Sequence, residues 1–346
     1  MPPVSGGARV AVIIVNYRTP DLTMKCLAAL RRERANVPSL TALVVDGGSG
    51  DGSAEKLATG LSEAAEYRDW VSLLPLTING GYGWANNQGI LTLARQEPAP
   101  DFFYVLNPDT EVCDGAVSNL VTELIDKPRC GAAGSLLLNS NHEQTASAFR
   151  FPSIGRELAG AAHSKIIGSV LGIEPIVVRP ETSSDVDWVT GASVMFRARA
   201  LRDSGLFDDG FFLYFEEVEL MRRLRAHGWS ISHVPASKVV HIEGAATGVG
   251  SGALDRPFPP YWYESRRRYF ELTGGALRLI GANLASVAGQ AIAGLKRLGG
   301  RPVQSKSLRL PDFLKLAFLP SGNKSRPSYP RLGDEPGTPP AWMGRN

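Results

Sequence analysis

The stretch "RVAVIIVNYRTPDLTMKCLAALRRE", residues 9–33, decides the fold class. Its first seven residues are continuous, apolar and rich in β-branched side chains. A strand without polar alternation is buried on both faces, as in a parallel sheet. The second part places Leu22, Cys26, Leu27 and Leu30 on one helical face, with Thr19 or Asp21 near the start. A buried strand followed by a one-sided helix is the repeating unit of an α/β protein.

The unit recurs downstream. "LTALVV" (40–45) is a second buried strand, ending in the glycine-rich loop "DGGSGDGS" with a helix after it. "WVSLLPL" (70–76) is a third, and "NGGYGWANNQGILTLARQ" (79–96) is a loop entering a helix. "DFFYVLN" (101–107) is a fourth and runs into "NPDTEV". The alternation predicts a Rossmann-like, doubly wound α/β sheet whose strands run parallel. Ligands of such sheets sit beyond the carboxyl ends of the strands. The polar loops fall at those ends: Asn16 and Tyr17, Asp46, Asn79 to Asn87, and Asn107 to Glu111.

After about residue 140 the pattern loosens. "VDWVTGASVMFRARAL" (186–201) reads as a strand and the start of a helix. In "FFLYFEEVELMRRL" (211–224), rings precede three carboxylates, and a short helix is expected to run from Glu219 to a Gly228 C-cap. "WSISHVP" and "SKVVHIEG" read as two short strands. Residues 276–298 keep Leu277, Ile280, Leu284, Val287, Ala291, Leu295 and Leu298 at 3/4 spacing, an amphipathic helical extension. "LPDFLKLAFLP" is a shorter piece of the same kind. The expected division is a catalytic domain over 1–255, a basic helical extension over 256–320 and a disordered tail over 321–346.

Of 37 basic and 34 acidic residues, 15 and 5 fall after residue 255, leaving 22 and 29 before it. A mildly acidic body thus carries a basic C-terminal part. That polarity suits an anionic partner such as a membrane surface or a lipid diphosphate, or a merely solvated tail; "YWYESRRRYF" and the amphipathic helix after it suit an interfacial contact, or Leu277 to Leu298 packs on the catalytic domain, and no nucleic-acid partner is expected. Cys26, Cys113 and Cys130 form no CxxC pair and are odd in number, which fits a reducing compartment. The first residues do not read as a signal peptide, and no run reaches the roughly 18 uninterrupted apolar residues of a membrane span. A cytoplasmic location follows as an expectation, with attachment to the inner face of the plasma membrane left open.

Two cofactor readings fail on spacing. "GGSGDGS" lacks the Lys-Ser/Thr of a P-loop, and "GYGWANNQG" does not fit G-x-G-x-x-G. Asp109 lies just past a buried strand, with Pro108 fixing the turn. It is either a turn residue or one carboxylate of a Mg²⁺ or Mn²⁺ site, since an ion bridging two phosphates needs few protein ligands. His241 at a strand end is structural or a metal ligand, whereas His142, His163, His227 and His233 have no supporting context. Glu219 and Arg223 are spaced for an i,i+4 ion pair. Glu216 and Glu217 are expected to precede the helix. A carboxylate among rings and like charges has a raised pKa and suits general-base chemistry.

Seven motifs occur in order over residues 9–250: "VIIVNYRTPDLTMKCLAAL", "VVDGGSGDGS", "NGGYGWANNQGI", "YVLNPDTEV", "VDWVTGASVMFR", "GLFDDGFFLYFEEVELMRRLRAHGW" and "VVHIEG". Together they resemble the family 2 glycosyltransferases of GT-A fold, in particular the bacterial rhamnosyltransferase-like branch, and the resemblance implies a Rossmann-like, doubly wound mixed sheet. The resemblance implies inverting transfer from a nucleotide-sugar with a divalent ion. It implies nucleotide-sugar contacts at Asn16, Tyr17, Asp46, Asn79, Gly81, Gly83, Asn87 and Asn107. It also implies metal ligation by Asp109 and His241, a catalytic base at Glu217 with Glu216 as rival, and acceptor contacts at Trp188 and Gly191. The favoured donor is dTDP-rhamnose, with other dTDP- or UDP-hexoses behind it, and the favoured acceptor is a polyprenyl-diphosphate-linked sugar. Three departures stand out: "DGGSGDGS" for the usual "DNxSxDGS", Asn107 for the first Asp of a DxD motif, and "EEVE" for "EDVD". The rival readings are a sugar-phosphate nucleotidyltransferase and a non-catalytic carbohydrate- or lipid-binding protein.

Overall fold

Strand β1, Val10–Asn16, is buried at all seven positions, and its side chains divide between two cores. Val10, Val12 and Ile14 face one, and Ala11, Ile13 and Val15 face the other. That is why the run shows no polar alternation: both faces of the sheet are covered by helices. The computed structural model describes residues 7–242, 258–298 and 310–318. The expected domain boundary near residue 255 and the tail from Ser321 lie outside the described residues.

Helix α1 (Pro20–Glu33) begins on a proline whose ring pre-sets the helical φ. It is followed by β2 (Thr41–Asp46), α2 (Ser53–Glu63), β3 (Val71–Pro75), α3 (Tyr82–Leu93) and β4 (Phe102–Leu106). These four strands are mutually parallel in the order β3-β2-β1-β4. The order reverses between β1 and β4, which opens a crevice at their carboxyl ends.

The second half makes the sheet mixed, as the GT-A resemblance implies. It contains β5 (Thr110–Val112), α4 (Ala116–Asp126), β6 (Cys130–Leu138), β7 (Ala148–Phe149), α5 (Ile154–Ala161), α6 (Lys165–Val170), β8 (Val177–Val178), β9 (Ser184–Asp185), β10 (Trp188–Val189), β11 (Ser193–Arg197), α7 (Ala198–Ser204), α8 (Glu216–Ala226) and β12 (Ser230–His241). β11 inserts antiparallel between β4 and β6, β12 runs parallel to β6, and β5 closes the edge antiparallel to β12. β10, β7 and β8 form a separate small sheet. The two short strands expected within 229–244 are one strand, Ser230–His241, bent where its register slips between Val234 and Lys238.

Helix α8 starts at Glu216, three residues earlier than the sequence pattern suggests. Tyr214 and Phe215 both take positive φ, 70° and 69°. This left-handed step, costly for non-glycine residues, turns the chain so that the acids fall in the first helical turn. There the helix dipole favours negative charge. Helix α9 (Pro260–Leu298) continues the chain upstream of the extension expected over 276–298 and breaks at Gly274 and Gly275. α10 (Leu310–Phe313) packs Phe313 beside Tyr263 of α9.

Candidate active site

A cavity of about 550 Å³ opens at the carboxyl ends of β1, β2 and β4. Each wall comes from a different loop. Tyr17 and Gly47 follow β1 and β2, Asn79 and Gly81 precede α3, and Asn107 to Asp109 follow β4. Gly191 comes from the turn before β11, Glu216 and Glu217 from the start of α8, and His241 from the end of β12.

The edge strand assembles one corner. β5 pairs with β12 so that Thr110 lies opposite His241, and the Ile242 N–H donates to the Asp109 carbonyl at 2.9 Å. That pairing sets His241 Nε2 3.2 Å from Asp109 Oδ1. Asp109 Oδ1 is buried and makes no hydrogen bond among the described residues. Two ligands of one ion with bonds of about 2.1 Å sit roughly 3 Å apart, so this oxygen–imidazole pair fits a divalent cation. Asn107 stands beside them, its Nδ2 3.5 Å from His241 Nε2. Among the described residues no third His, Cys, Asp or Glu joins the group. Further ligands would have to come from substrate phosphates or water.

Tyr82 ties this corner to the opposite wall. Its O–H is shared between Asn107 Oδ1 at 2.8 Å and the Gly191 carbonyl at 2.9 Å. Burial, then the charges of Glu216 and Glu217, push its pKa well up, so it remains a neutral donor.

The acids form a buried pair. Burial pushes the Glu216 carboxyl well above the usual range, and the Glu217 charge adds to this. Burial also raises Glu217, but N–H groups of Glu217, Gly191 and Val218 act against it. Neither Glu216 Oε2 nor Glu217 Oε2 makes a hydrogen bond among the described residues. Glu219 is different: Arg223 Nε donates to its two oxygens at 2.7 and 2.9 Å, and the same guanidinium caps the Ser204 and Leu206 carbonyls. The expected ion pair is present and structural.

Several expected contact residues stand behind the wall rather than in it. Asp46 is 2% exposed, and its oxygens accept from Asn16 Nδ2 at 2.7 Å, Ser49 Oγ at 2.6 Å and Ser49 N–H at 3.0 Å. Asn16 Oδ1 accepts in turn from Thr23. This network holds the loops that present Tyr17 and Gly47. Asn87 is bonded to the Phe207 backbone through both side-chain ends. Gly83 lets α3 approach Phe207 and Glu216. Trp188, expected at the acceptor, stacks on Phe149 at 4.1 Å and donates to the Arg150 carbonyl, as part of the small sheet. Of the expected residues, Tyr17, Asn79, Gly81, Asn107, Asp109, Gly191, Glu216, Glu217 and His241 line the cavity.

One contributor escaped the motif reading. Tyr261, at the start of α9, lines the cavity with Phe212 and Tyr214. It lies nearly parallel to Tyr214, ring centres 6.1 Å apart, and 5.7 Å from Phe212. The aromatic cluster "FPPYWYE" was its only sequence signal. The three arginines after it are not an exposed basic patch. Arg266 is fully buried and pairs with Glu157 at 2.7 Å. Arg268 grips Asp208 at 2.7 and 2.8 Å, and Arg267 reaches the Ala317 carbonyl. They fasten α9 to the body.

The model of the glycosyltransferase-like family 2 matches residues 8–256. The chain belongs to that family. This family 2 glycosyltransferase is 30% identical over 249 residues to the N-acetylglucosaminyl-diphospho-decaprenol L-rhamnosyltransferase of Mycobacterium tuberculosis, covering 68% of this chain and 77% of that one. It is 25% identical over 174 residues to the rhamnosyltransferase WbbL of Escherichia coli, covering 47% and 62%. Among solved structures it resembles GalNAc-T7 with UDP, GalNAc and Mn²⁺, at TM-score 0.52 and 14% identity over 77% of this chain and 51% of that one. It also resembles the mannosyltransferase PcManGT of Pyrobaculum calidifontis with GDP-Man and Mn²⁺, at TM-score 0.51 and 15% identity over 87% and 79%. The fold is GT-A, the mixed sheet included.

Proposed function

We propose that this glycosyltransferase moves a hexose, in first place L-rhamnose from dTDP-rhamnose, onto a polyprenyl-diphosphate-linked sugar with inversion at the anomeric carbon, in the synthesis of a cell-surface polysaccharide. The observation that carries the reading is that one cavity holds two unlike groups: Asp109 with His241, from the ends of β4 and β12, and Glu216 with Glu217, from the start of α8. The rhamnosyltransferase relatives support the donor and acceptor classes.

The residues divide the work. Glu216 keeps its proton, because burial and its neighbour's charge both oppose ionisation. Glu217 is the carboxylate that ionises, with the Gly191 N–H stabilising the anion. It takes the proton of the acceptor hydroxyl as that oxygen attacks the anomeric carbon and the nucleoside diphosphate leaves. Asp109 and His241 would hold Mg²⁺ or Mn²⁺, and such an ion supplies neutralising charge for the leaving diphosphate. Asn107, oriented by Tyr82, offers a neutral polar group where a second acid would add repulsion. Tyr214 and Tyr261 present an aromatic wall for the acceptor.

Two measurements test this. In a thermal-shift panel, Mn²⁺ with the matching nucleotide-sugar is expected to raise Tm more than either alone, and EDTA to remove the gain. No shift with any nucleotide-sugar would refute the donor and metal assignments. For the acceptor wall, Tyr261→Ala is expected to raise acceptor KM about tenfold and leave donor KM within about twofold. An unchanged acceptor KM removes Tyr261 from the site.

A further inference from the structure

Beyond Gly275, helix α9 is amphipathic with its apolar side outward. The buried side carries small and polar residues: Ala282, Asn283, Ala285, Ser286 and Gly289. Gly289 meets the end of α5 so closely that a Cβ would lie 2.6 Å from the Leu158 carbonyl oxygen. Asn283 and Ser286 hydrogen-bond Arg266, and Ser286 also donates to Glu157. The opposite side carries Leu277, Ile280, Leu284, Leu295 and Leu298. Leu277 is 84% exposed, Leu284 58%, Leu295 68% and Leu298 87%. At 1.5 Å per residue the row is about 30 Å long. An ordered apolar row of that length in water marks an interaction face rather than scattered surface leucines. Lys296 Nζ donates to the Ala162 carbonyl in the turn between α5 and α6. α6 then adds exposed Ile166 and Val170.

We propose that this face docks on the surface of an anionic lipid bilayer, with α9 lying in the interface. Charge selects the occupant. From Ala276 to Arg309 the chain has Arg278, Lys296, Arg297, Arg301, Lys306 and Arg309 and no acidic residue. An exposed apolar face on a stretch of sequence whose charges are all positive suits anionic headgroups above acyl chains. It disfavours a second copy on the same face, since two such helices would bring like charges together without a complementary acid. The helix lies flat rather than crossing. Residues Pro260–Lys296 are long and apolar enough to span a bilayer by length and composition. However, α9 turns at Gly274–Gly275 and its polar side is locked to Arg266 and Glu157. The same helix that presents Tyr261 to the cavity thus meets the membrane farther along. This surface stands on exposure and charge and does not depend on the acceptor assignment.

The test is co-sedimentation of the full chain with phosphatidylcholine vesicles, with and without phosphatidylglycerol, in the absence of any acceptor. The wild type is expected to sediment with the anionic vesicles. The triple variant Leu277→Gln, Leu284→Gln, Leu295→Gln is expected to bind at least about tenfold more weakly, with unchanged Tm and donor binding. The single variants Leu277→Gln and Leu295→Gln, each with a partial loss, serve if the triple variant does not fold. Absence of wild-type binding, or equal binding by the variants, overturns the proposal. So does equal binding to purely zwitterionic vesicles. A dimer in light scattering that the triple variant dissolves, without vesicle binding, would assign the face to a second copy.

Discussion

Glu217→Gln is expected to lower kcat by about 10²–10⁴-fold while nucleotide-sugar binding stays within about twofold of the wild type. Gln keeps the length and the hydrogen bond from the Gly191 N–H but cannot take a proton. The loss should therefore fall on the chemical step. Retained donor binding with lost transfer separates a catalyst from a sugar-binding protein, and an unchanged kcat would move the base elsewhere. Glu216→Gln is the partner experiment. Glu216 is already protonated in the proposed state, so a neutral amide mimics its working form and a smaller loss is expected. The acid limb of the kcat/KM profile should stay in place, because the amide, like the protonated carboxyl, sets no negative charge beside Glu217.

The pair also makes a statement about stability. A carboxyl whose folded pKa lies above its unfolded value of 4.5 is favourable to folding below that value. The benefit is lost as pH rises through the folded pKa, where a buried charge must form. Glu216→Gln removes that cost. Its Tm should exceed the wild-type Tm at pH 8, and the gap should close toward pH 5. The carboxyl pair trades stability for chemistry, as strained or buried functional groups commonly do.

How much of this was legible in sequence follows from how local each signal is. The parallel half of the sheet was readable, because β1, β2 and β4 are buried on both faces and each ends in a polar loop. The mixed half was legible only through the family resemblance, not through local pattern. β11 lies between β4 and β6 through pairings across tens of residues, and no local period encodes a neighbour that distant. The start of α8 was misplaced for a related reason. Bulky Tyr214 and Phe215 do not announce a left-handed turn, which their surroundings impose. Asn16, Asp46 and Asn87 were recognisable as polar groups near strand ends. Whether such a group faces the cavity or braces the loop behind it depends on partners such as Ser49 and Phe207, which only the fold supplies. Arg266–Arg268 illustrate the same limit, since three adjacent arginines read as a basic surface until Glu157 and Asp208 are found opposite two of them.

Gly81→Ala is expected to be the most damaging glycine-to-alanine substitution among the described residues. Gly81 has φ 94° and ψ 172°, a region essentially restricted to glycine. A Cβ there would lie 2.1 Å from the Phe212 carbonyl oxygen, a backbone atom that cannot rotate aside. The neighbouring Tyr82 N–H donates to that same carbonyl at 3.0 Å. Two loops therefore lock together at this point: the one that opens α3, and the aromatic segment that leads into Glu216. Pushing them apart also displaces Tyr82, and with it the bridge from Asn107 to Gly191. A loss of about 3 kcal/mol or more is expected, together with loss of transfer even where the protein remains folded. Gly50→Ala is the matched control. Gly50 also has positive φ, 64°, but no atom lies within 4 Å of its Cβ position. It carries the conformational penalty alone, about 1 kcal/mol. Urea unfolding and single-turnover transfer on both variants separate strain from collision. If Gly81→Ala behaves like Gly50→Ala, the two loops are not coupled and the aromatic segment positions the carboxylates by itself.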